Sequence, residues 1–444
     1  MQVSILNRII FVLLCIVIAW APVPLGSNRP WAWSLLQLMI GSAFLLHLVH
    51  CWRSDLPLLA ARRFLLWLSP LFVLIGSLAL QFSGVGLTSA DPYQTKVMLI
   101  KTVFFTLWCC LLLNYLQNHD RLRLLAIVIV ATGAVQAFYG VVIQLAGFDV
   151  SPFTGIAEGN RARGSFVYQN HFANFLALCL AVAIGVLLSQ LSSKRHHRTF
   201  RQIARDTLST LLSAKMMLRL AMILMVTGLV MSRSRMGNAA FFTALIGVAL
   251  LALWFYKRPP ALLKPLVISI LLLDMALIGS MFGIEKLQER YEQTSFASEA
   301  RDEVVQDSLP LLQQYQLTGS GGGTFYTVFP AVQPQAYSGF YDHAHNDYLQ
   351  FAIELGIPLT AVLFGWMVAF AISAFNVMRS HDNKLERGLA FGCLMALIHM
   401  GLHCTVDFNL QAPANALLFL TILMMSLWCA AQPAKAQSRR TSAR

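Results

Sequence analysis

The chain has 444 residues, 57% of them hydrophobic and only 12% charged, with a formal net charge of +13. That balance excludes an ordinary soluble globular protein and marks a membrane protein. The basic excess does not call for nucleic acid, because the positions of the charges explain it, as shown below.

Crossing the hydrocarbon core takes roughly 20 apolar residues as a helix. Runs of that length recur about twelve times, near residues 5–22, 31–50, 64–82, 97–116, 123–146 and 172–191, then 216–232, 238–256, 261–282, 347–376, 388–408 and 412–430. The stretch "WAPVPLG" after the first run offers no small-x-small cleavage site, so that run reads as a helix and not as a signal peptide. All eight cysteines fall in or beside apolar runs, so no disulfide framework is implied. The expected fold is all-α: one polytopic integral membrane domain over residues 1–432, with about 12 transmembrane helices. A long loop, 283–345, separates the ninth span from the tenth, and a short tail, 433–444, follows the last.

Lys and Arg cluster in alternate loops: Arg53, Arg62 and Arg63; Arg121 and Arg123; "KRHHRTFRQIAR"; Lys257, Arg258 and Lys264; Arg379, Lys384 and Arg387; and the tail "KAQSRRTSAR". The positive-inside rule puts these loops and both termini in the cytoplasm, as an even number of spans requires. Topology therefore accounts for the charge with a lipid bilayer as partner and no nucleic acid. The alternate loops face outward, and basic residues there need another reason. They are Arg161 and Arg163, Arg233 and Arg235, and Lys286, Arg290 and Arg301. Guanidinium groups hold phosphate bidentately and stay charged, so the first four are candidates for anion binding, against lipid headgroups or snorkelling as the plain alternative. Two such groups flanking one cavity suit a diphosphate.

The outer loop spaces apolar residues at helical intervals in "GIEKLQERYEQTSFASEARDEVVQDSLPLLQQY", which predicts short amphipathic helices. The glycines of "LTGSGGGTF" then predict a flexible turn; the Lys-Ser/Thr of a phosphate loop is missing. At "DHAHNDYLQFAIELGIP" a helix is expected to begin, with Asn346 as N-cap, Asp347 at the positive end of the helix dipole, and Asp347 and Gln350 as a capping pair. His345 would lie beside that N-terminus as a neutral imidazole able to accept a hydroxyl proton. On residue chemistry alone, His343, His345 and Asp347 read as polar boundary residues. Within apolar runs, Glu354 shares a helix face with Asp347, Lys101 can pair with an acid or reach a phosphate, and Asp274 carries no message. "HMGLHCTVDF" spaces His399, His403 and Asp407 four residues apart, on one helix face. Met400 stands where a metalloprotease motif has Glu, so a buried polar network is expected there and no metal. No Asp-x-Asp pair occurs to bring a divalent ion to a sugar nucleotide.

Together these pieces resemble the superfamily of O-antigen ligases and O-antigen or exopolysaccharide polymerases, which also holds protein O-oligosaccharyltransferases. "RGSFVYQNHFANFLAL" resembles its Arg-x-Gly/Ser-x-Phe then Asn-x-Phe helix start, "SRSRMG" its Ser-Arg-Ser-x-Gly turn, and "ARDEVVQDSLPLLQQYQLTGSGGGTF" its outer loop from an Arg to a Gly-x-Gly-x-Phe turn. His345, Asn346 and Gly356 fit the ligase pattern of His, then Asn, Ser or Gln, nine residues and Gly; Leu359 departs from its Gly, Thr or Tyr. The resemblance covers roughly residues 160–410. It implies a membrane glycosyltransferase at the periplasmic face of a Gram-negative inner membrane, with no cofactor. The donor would be a glycan on undecaprenyl diphosphate. Carried over by position, His345 would be the general base, and Arg163 and Arg233 would bind the donor diphosphate beside Arg161 and Arg235. His343, Asn346, Asp347, Arg301, Asp407 and His403 would support them. The acceptor stays open between lipid A core, a growing polysaccharide and a protein hydroxyl. From a different class, a transporter or flippase of lipid-linked glycans remains the rival.

Overall fold

The computed structural model describes residues 5–59, 63–157, 159–190, 214–255, 268, 303–334 and 341–433. Among them the secondary structure is helical, with one isolated bridge between Val150 and Ala157. The helices are α1 (Ile5–Trp20), α2 (Pro30–Ser54), α3 (Arg63–Ser83), α4 (Pro92–Tyr115), α5 (His119–Ala146), α6 (Gln169–Gln190), α7 (Ala214–Met231), α8 (Arg235–Phe255), the short α9 (Leu309–Tyr315) and α10 (Phe325–Val328), then α11 (Asp347–Leu355), α12 (Ile357–Ser380), α13 (Lys384–His403) and α14 (Pro413–Ala430). Ten of these are long and apolar enough to cross a membrane, and α1 is a shorter apolar helix. The expected span 261–282 lies outside the described residues, as does Asp274. The chain is an all-α, multi-pass membrane protein.

Two helices, α6 and α14, are buried along nearly their whole length and form the axis of the bundle. Small residues let α13 pack backbone to backbone against α6: a Cβ on Gly185 would sit 2.4 Å from the Gly388 carbonyl oxygen, and one on Gly392 would sit 2.5 Å from that of Ala181. Close approach of this kind is how helices associate where water supplies no drive. Trp108 ties α4 to the axis by donating to Thr421 Oγ1 at 3.0 Å. Large apolar side chains such as Leu66, Val73, Val135 and Phe138 point outward, where lipid tails cover them.

The expected span 347–376 is two helices. Gly356 has φ +82°, and a Cβ there would meet the Leu317 carbonyl oxygen at 2.4 Å. The backbone freed by this break is satisfied from the loop: Ile357 N–H donates to Gln316 O at 2.8 Å, Ser320 N–H to Ile353 O at 2.8 Å and Gly321 N–H to Glu354 O at 3.0 Å. Only glycine fits several of these positions, because Gly319 at φ +76° would place a Cβ 2.1 Å from Glu354 O. The glycine turn is therefore pinned and not flexible. Nine-residue α11 is too short to span and lies against α9 and the α13–α14 turn.

Candidate functional site

Chemistry-bearing side chains gather at the end of the bundle that holds residues 162–171, 232–235, 319–326, 341–347 and 404–412. The first of these segments is anchored by its small residues. Gly164 at φ +55° lies where a Cβ would strike Phe172 at 2.7 Å, Ser165 Oγ donates to Pro22 O at 2.6 Å, and its N–H donates to Gln136 Oε1 at 3.1 Å. Phe166 is buried against Phe172 and Phe175. With Ser165 and Phe166 plugged into the core, Arg161 is left exposed and Arg163 half-buried, its guanidinium donating to Ala157 O.

The "SRSRMG" segment turns between α7 and α8. Ser232 Oγ donates to Leu229 O at 2.6 Å, Ser234 Oγ accepts from Gly237 N–H at 3.3 Å and so caps α8, and Gly237 leaves room for Ala173 of α6. Arg233 stands at the tip with φ +52°. Ala162 N–H donates to Met231 O at 3.0 Å, so the two arginine-bearing loops lie side by side. Arg301 lies outside the described residues.

His345 also holds a left-handed backbone, φ +50°. Among the described residues only five non-glycines do so, and two of them are His345 and Arg233. For such residues the conformation costs about 1–2 kcal/mol. Asn346 is the N-cap, accepting from Leu349 N–H at 3.1 Å, as expected. The Asp347–Gln350 capping pair does not form: Asp347 N–H donates to Cys404 O at 3.0 Å, and Gln350 Oε1 reaches past it to accept from Ala344 N–H at 3.1 Å. Gln350 Nε2 lies 3.1 Å from His343 Nδ1 and donates to Glu354 Oε1 at 2.9 Å. Glu354 in turn accepts from the N–H groups of Gly323 at 2.9 Å and Phe325 at 3.1 Å. It thus couples the histidine loop to the glycine turn, which the helix-face argument alone did not reveal.

Phe408 organises the rings. His343 stacks on it with centroids 4.1 Å apart, while His171 at 4.7 Å, His345 at 5.0 Å and Tyr168 at 5.9 Å meet it steeply. Beside it, the buried Asp407 carboxylate lies 3.9 Å from His171 Nε2 and 3.9 Å from His403 Nε2. His403 ends α13, so Asp407 is not on one helix face with His399 and His403; the turn after the helix folds it back. His399 bonds Asn174 Oδ1 at 3.0 Å, giving the buried polar network expected there. Tyr168, His171 and Phe408 were missed by sequence reasoning, although each lies within a stretch that it had singled out.

Burial pulls the His343 imidazole below its ordinary value, against the opposing effects of Asp342 and the Gln350 hydrogen bond. Burial pushes Asp407 up, but the His171 and His403 imidazoles and the Phe408 N–H outweigh it and hold the carboxyl below the usual range. Asp347 is pushed up to about 8 and Glu354 to about 7, both by burial. The Asp407 carboxyl is thus shifted toward its ionised form and the His343 imidazole toward its neutral form, with Phe408 next to one and stacked on the other.

A cavity of about 780 Å³ opens beside this ring cluster. Tyr168, His171, Asp342, His343, Gln350 and Phe408 line its polar side. His345 and the four arginines are not among its lining residues, although Val167 and Tyr168, a few residues beyond Arg163, are. Lys101 does line it, with its ammonium 5.2 Å from the centroid of a Trp33 ring and no ion pair with an acid among the described residues.

Fold and site define a class: a polytopic helical membrane protein whose basic loops, imidazoles and cavity share one end of the bundle. Residues 220–364 match the family model described as O-antigen ligase, which supports the resemblance to that superfamily. The match takes in Arg233, Arg235, His343, His345, Asn346 and Asp347, and leaves Arg161, Arg163, His403 and Asp407 outside it. No curated protein matches the chain. The family indicates an enzyme of ligase or glycosyltransferase type.

Proposed function

We propose that the protein is an inner-membrane glycosyltransferase, moving a glycan from an undecaprenyl-diphosphate donor to an acceptor hydroxyl at the periplasmic face. The observation that carries this reading is the strained backbone at both His345 and Arg233. Strain of this kind persists where the surrounding structure over-determines it, typically at sites of function. In this reading His345 removes the acceptor proton, worth roughly a hundredfold to ten-thousandfold in rate. Arg163 and Arg233, with Arg161 and Arg235 beside them, receive the diphosphate, whose charge grows as it leaves. They take the charge-neutralising part that a divalent ion plays elsewhere. The Asp407 carboxylate stabilises the imidazolium that forms. In-line attack at the anomeric carbon inverts its configuration in one step.

The test uses the purified chain in lipid with a glycan-loaded undecaprenyl diphosphate and mixed acceptors, the product linkage being read by nuclear magnetic resonance. Release of undecaprenyl diphosphate with an inverted linkage supports the reading, and the glycosylated acceptor distinguishes ligase, polymerase and protein glycosylation. A retained anomer contradicts the one-step mechanism. Labelled lipid that crosses the bilayer with no new bond formed makes the protein a transporter instead.

A further inference from the structure

The cavity is lined by cations other than the four loop arginines. Its lining includes Leu71, Leu74, Leu363, Met367, Leu420 and Leu423, which lie well inside α3, α12 and α14. Ten residues of helix is about 15 Å, so the apolar floor reaches far below the ring cluster. Lys101 stands nine residues into α4, on the wall between that floor and the polar side. Among the described residues no carboxylate lies within ion-pairing distance of its ammonium; the Trp33 ring is its close partner. Cation–π contact offsets only part of the cost of taking an ammonium out of water. Asp342 and His343 line the same cavity, and Lys101 and Asp342 act on His343 in opposite senses. Arg29, exposed, lines the same cavity.

We propose that this cavity is a second amphiphile site, in which Lys101, held by Trp33, binds the phosphate of an anionic lipid whose tail lies along the apolar floor. This rests on the reading that the arginine loops hold the donor diphosphate. The ring cluster of His343, Phe408 and His171 then stands between two phosphate sites, and the lipid in the cavity presents its headgroup to the histidine loop. The shared chemistry is a phosphate on a long tail. The lipid is either a prenyl-linked phosphate or a membrane phospholipid.

The experiment is equilibrium binding of a fluorescent prenyl monophosphate, and of the matching neutral prenyl alcohol, to the full chain in phosphatidylcholine nanodiscs. We expect Lys101→Met to weaken phosphate binding at least about tenfold and leave the alcohol unchanged. Lys101→Arg should restore binding to within about threefold, and the Lys101-dependent part of the binding should persist in Arg233→Ala, which removes only what the arginine loops hold. Displacement of the probe by phosphatidylglycerol assigns the site to a phospholipid, and its failure assigns it to a prenyl-linked one. Native-like phosphate binding by Lys101→Met, or equal loss of the alcohol, overturns the proposal. If Arg233→Ala weakens the probe as much as Lys101→Met does, cavity and arginines are one donor site and the second site is refuted. Because the readout is binding, a chain that binds in this pattern but transfers no glycan overturns the transferase reading alone.

Discussion

The two ends of the bundle treat their polar groups in opposite ways. At the end away from the site, histidines have close partners: His119 Nε2 and His381 Nδ1 each lie 2.6 Å from a different oxygen of Glu386, and His47 contacts Tyr115 Oη at 3.0 Å and Leu58 O at 2.9 Å. At the site end, Asp407 stands 3.9 Å from both His171 and His403, and Asp347 Oδ1 is buried without a hydrogen-bond partner among the described residues. There the backbone is strained as well, at Arg233 and His345. Buried polar groups are ordinarily satisfied, so saturation marks groups that hold the fold, and incomplete pairing with strain marks groups kept for chemistry.

Substitutions at the two ends should therefore fail differently. The largest effect belongs to the arginine loops. Arg163→Ala and Arg233→Ala should each lower donor turnover by roughly a hundredfold to a thousandfold with little change in melting temperature, measured as undecaprenyl diphosphate released. At the pinned break, Gly356→Ala forces a Cβ against Leu317 O and should cost about 3 kcal/mol, seen as a lower melting temperature in detergent. Glu386→Gln at the opposite end should destabilise by roughly 1–3 kcal/mol while the folded fraction keeps its transfer rate. A rate loss on the scale of the arginine variants would erase the contrast between the ends.

The smallest of these effects is a pH dependence. Asp347 in the folded chain titrates at about 8, above its ordinary value near 3.8, so the folded state binds the extra proton. Its contribution to stability is complete below the ordinary value and is lost as pH rises toward 8. Glu354, at about 7, acts in the same direction. Thermal stability should fall between pH 5 and pH 8, and Asp347→Asn should flatten that slope by on the order of 1 kcal/mol.

Much of this contrast was legible in the chain. Apolar runs give the spans, and Asn346 followed by an apolar helix gives the start of α11, because span length and capping are local rules. What was not legible depends on contacts between distant segments. The break at Gly356 exists because residues 316–321 supply hydrogen bonds to it, so hydropathy alone fuses α11 and α12 into one span. Gln350 looks like a capping partner of Asp347 until Ala344 and His343 fold over it. Asp407 reads as one turn beyond His403, yet the helix has ended and Phe408 turns toward four rings that the sequence scatters between residues 168 and 345. Arginines were visible as outliers among outer loops, but that none of the four lines the cavity required the three-dimensional arrangement.

The most direct test of strain kept for chemistry is a paired measurement on His345→Gly, following glycan transfer and melting temperature in the same lipid preparation. Glycine relieves the left-handed backbone by about 1 kcal/mol, so the account predicts that the melting temperature holds or rises while transfer falls at least about a hundredfold. Transfer at the native rate, or a clear drop in melting temperature, would contradict it and return His345 to the structural residues of the boundary.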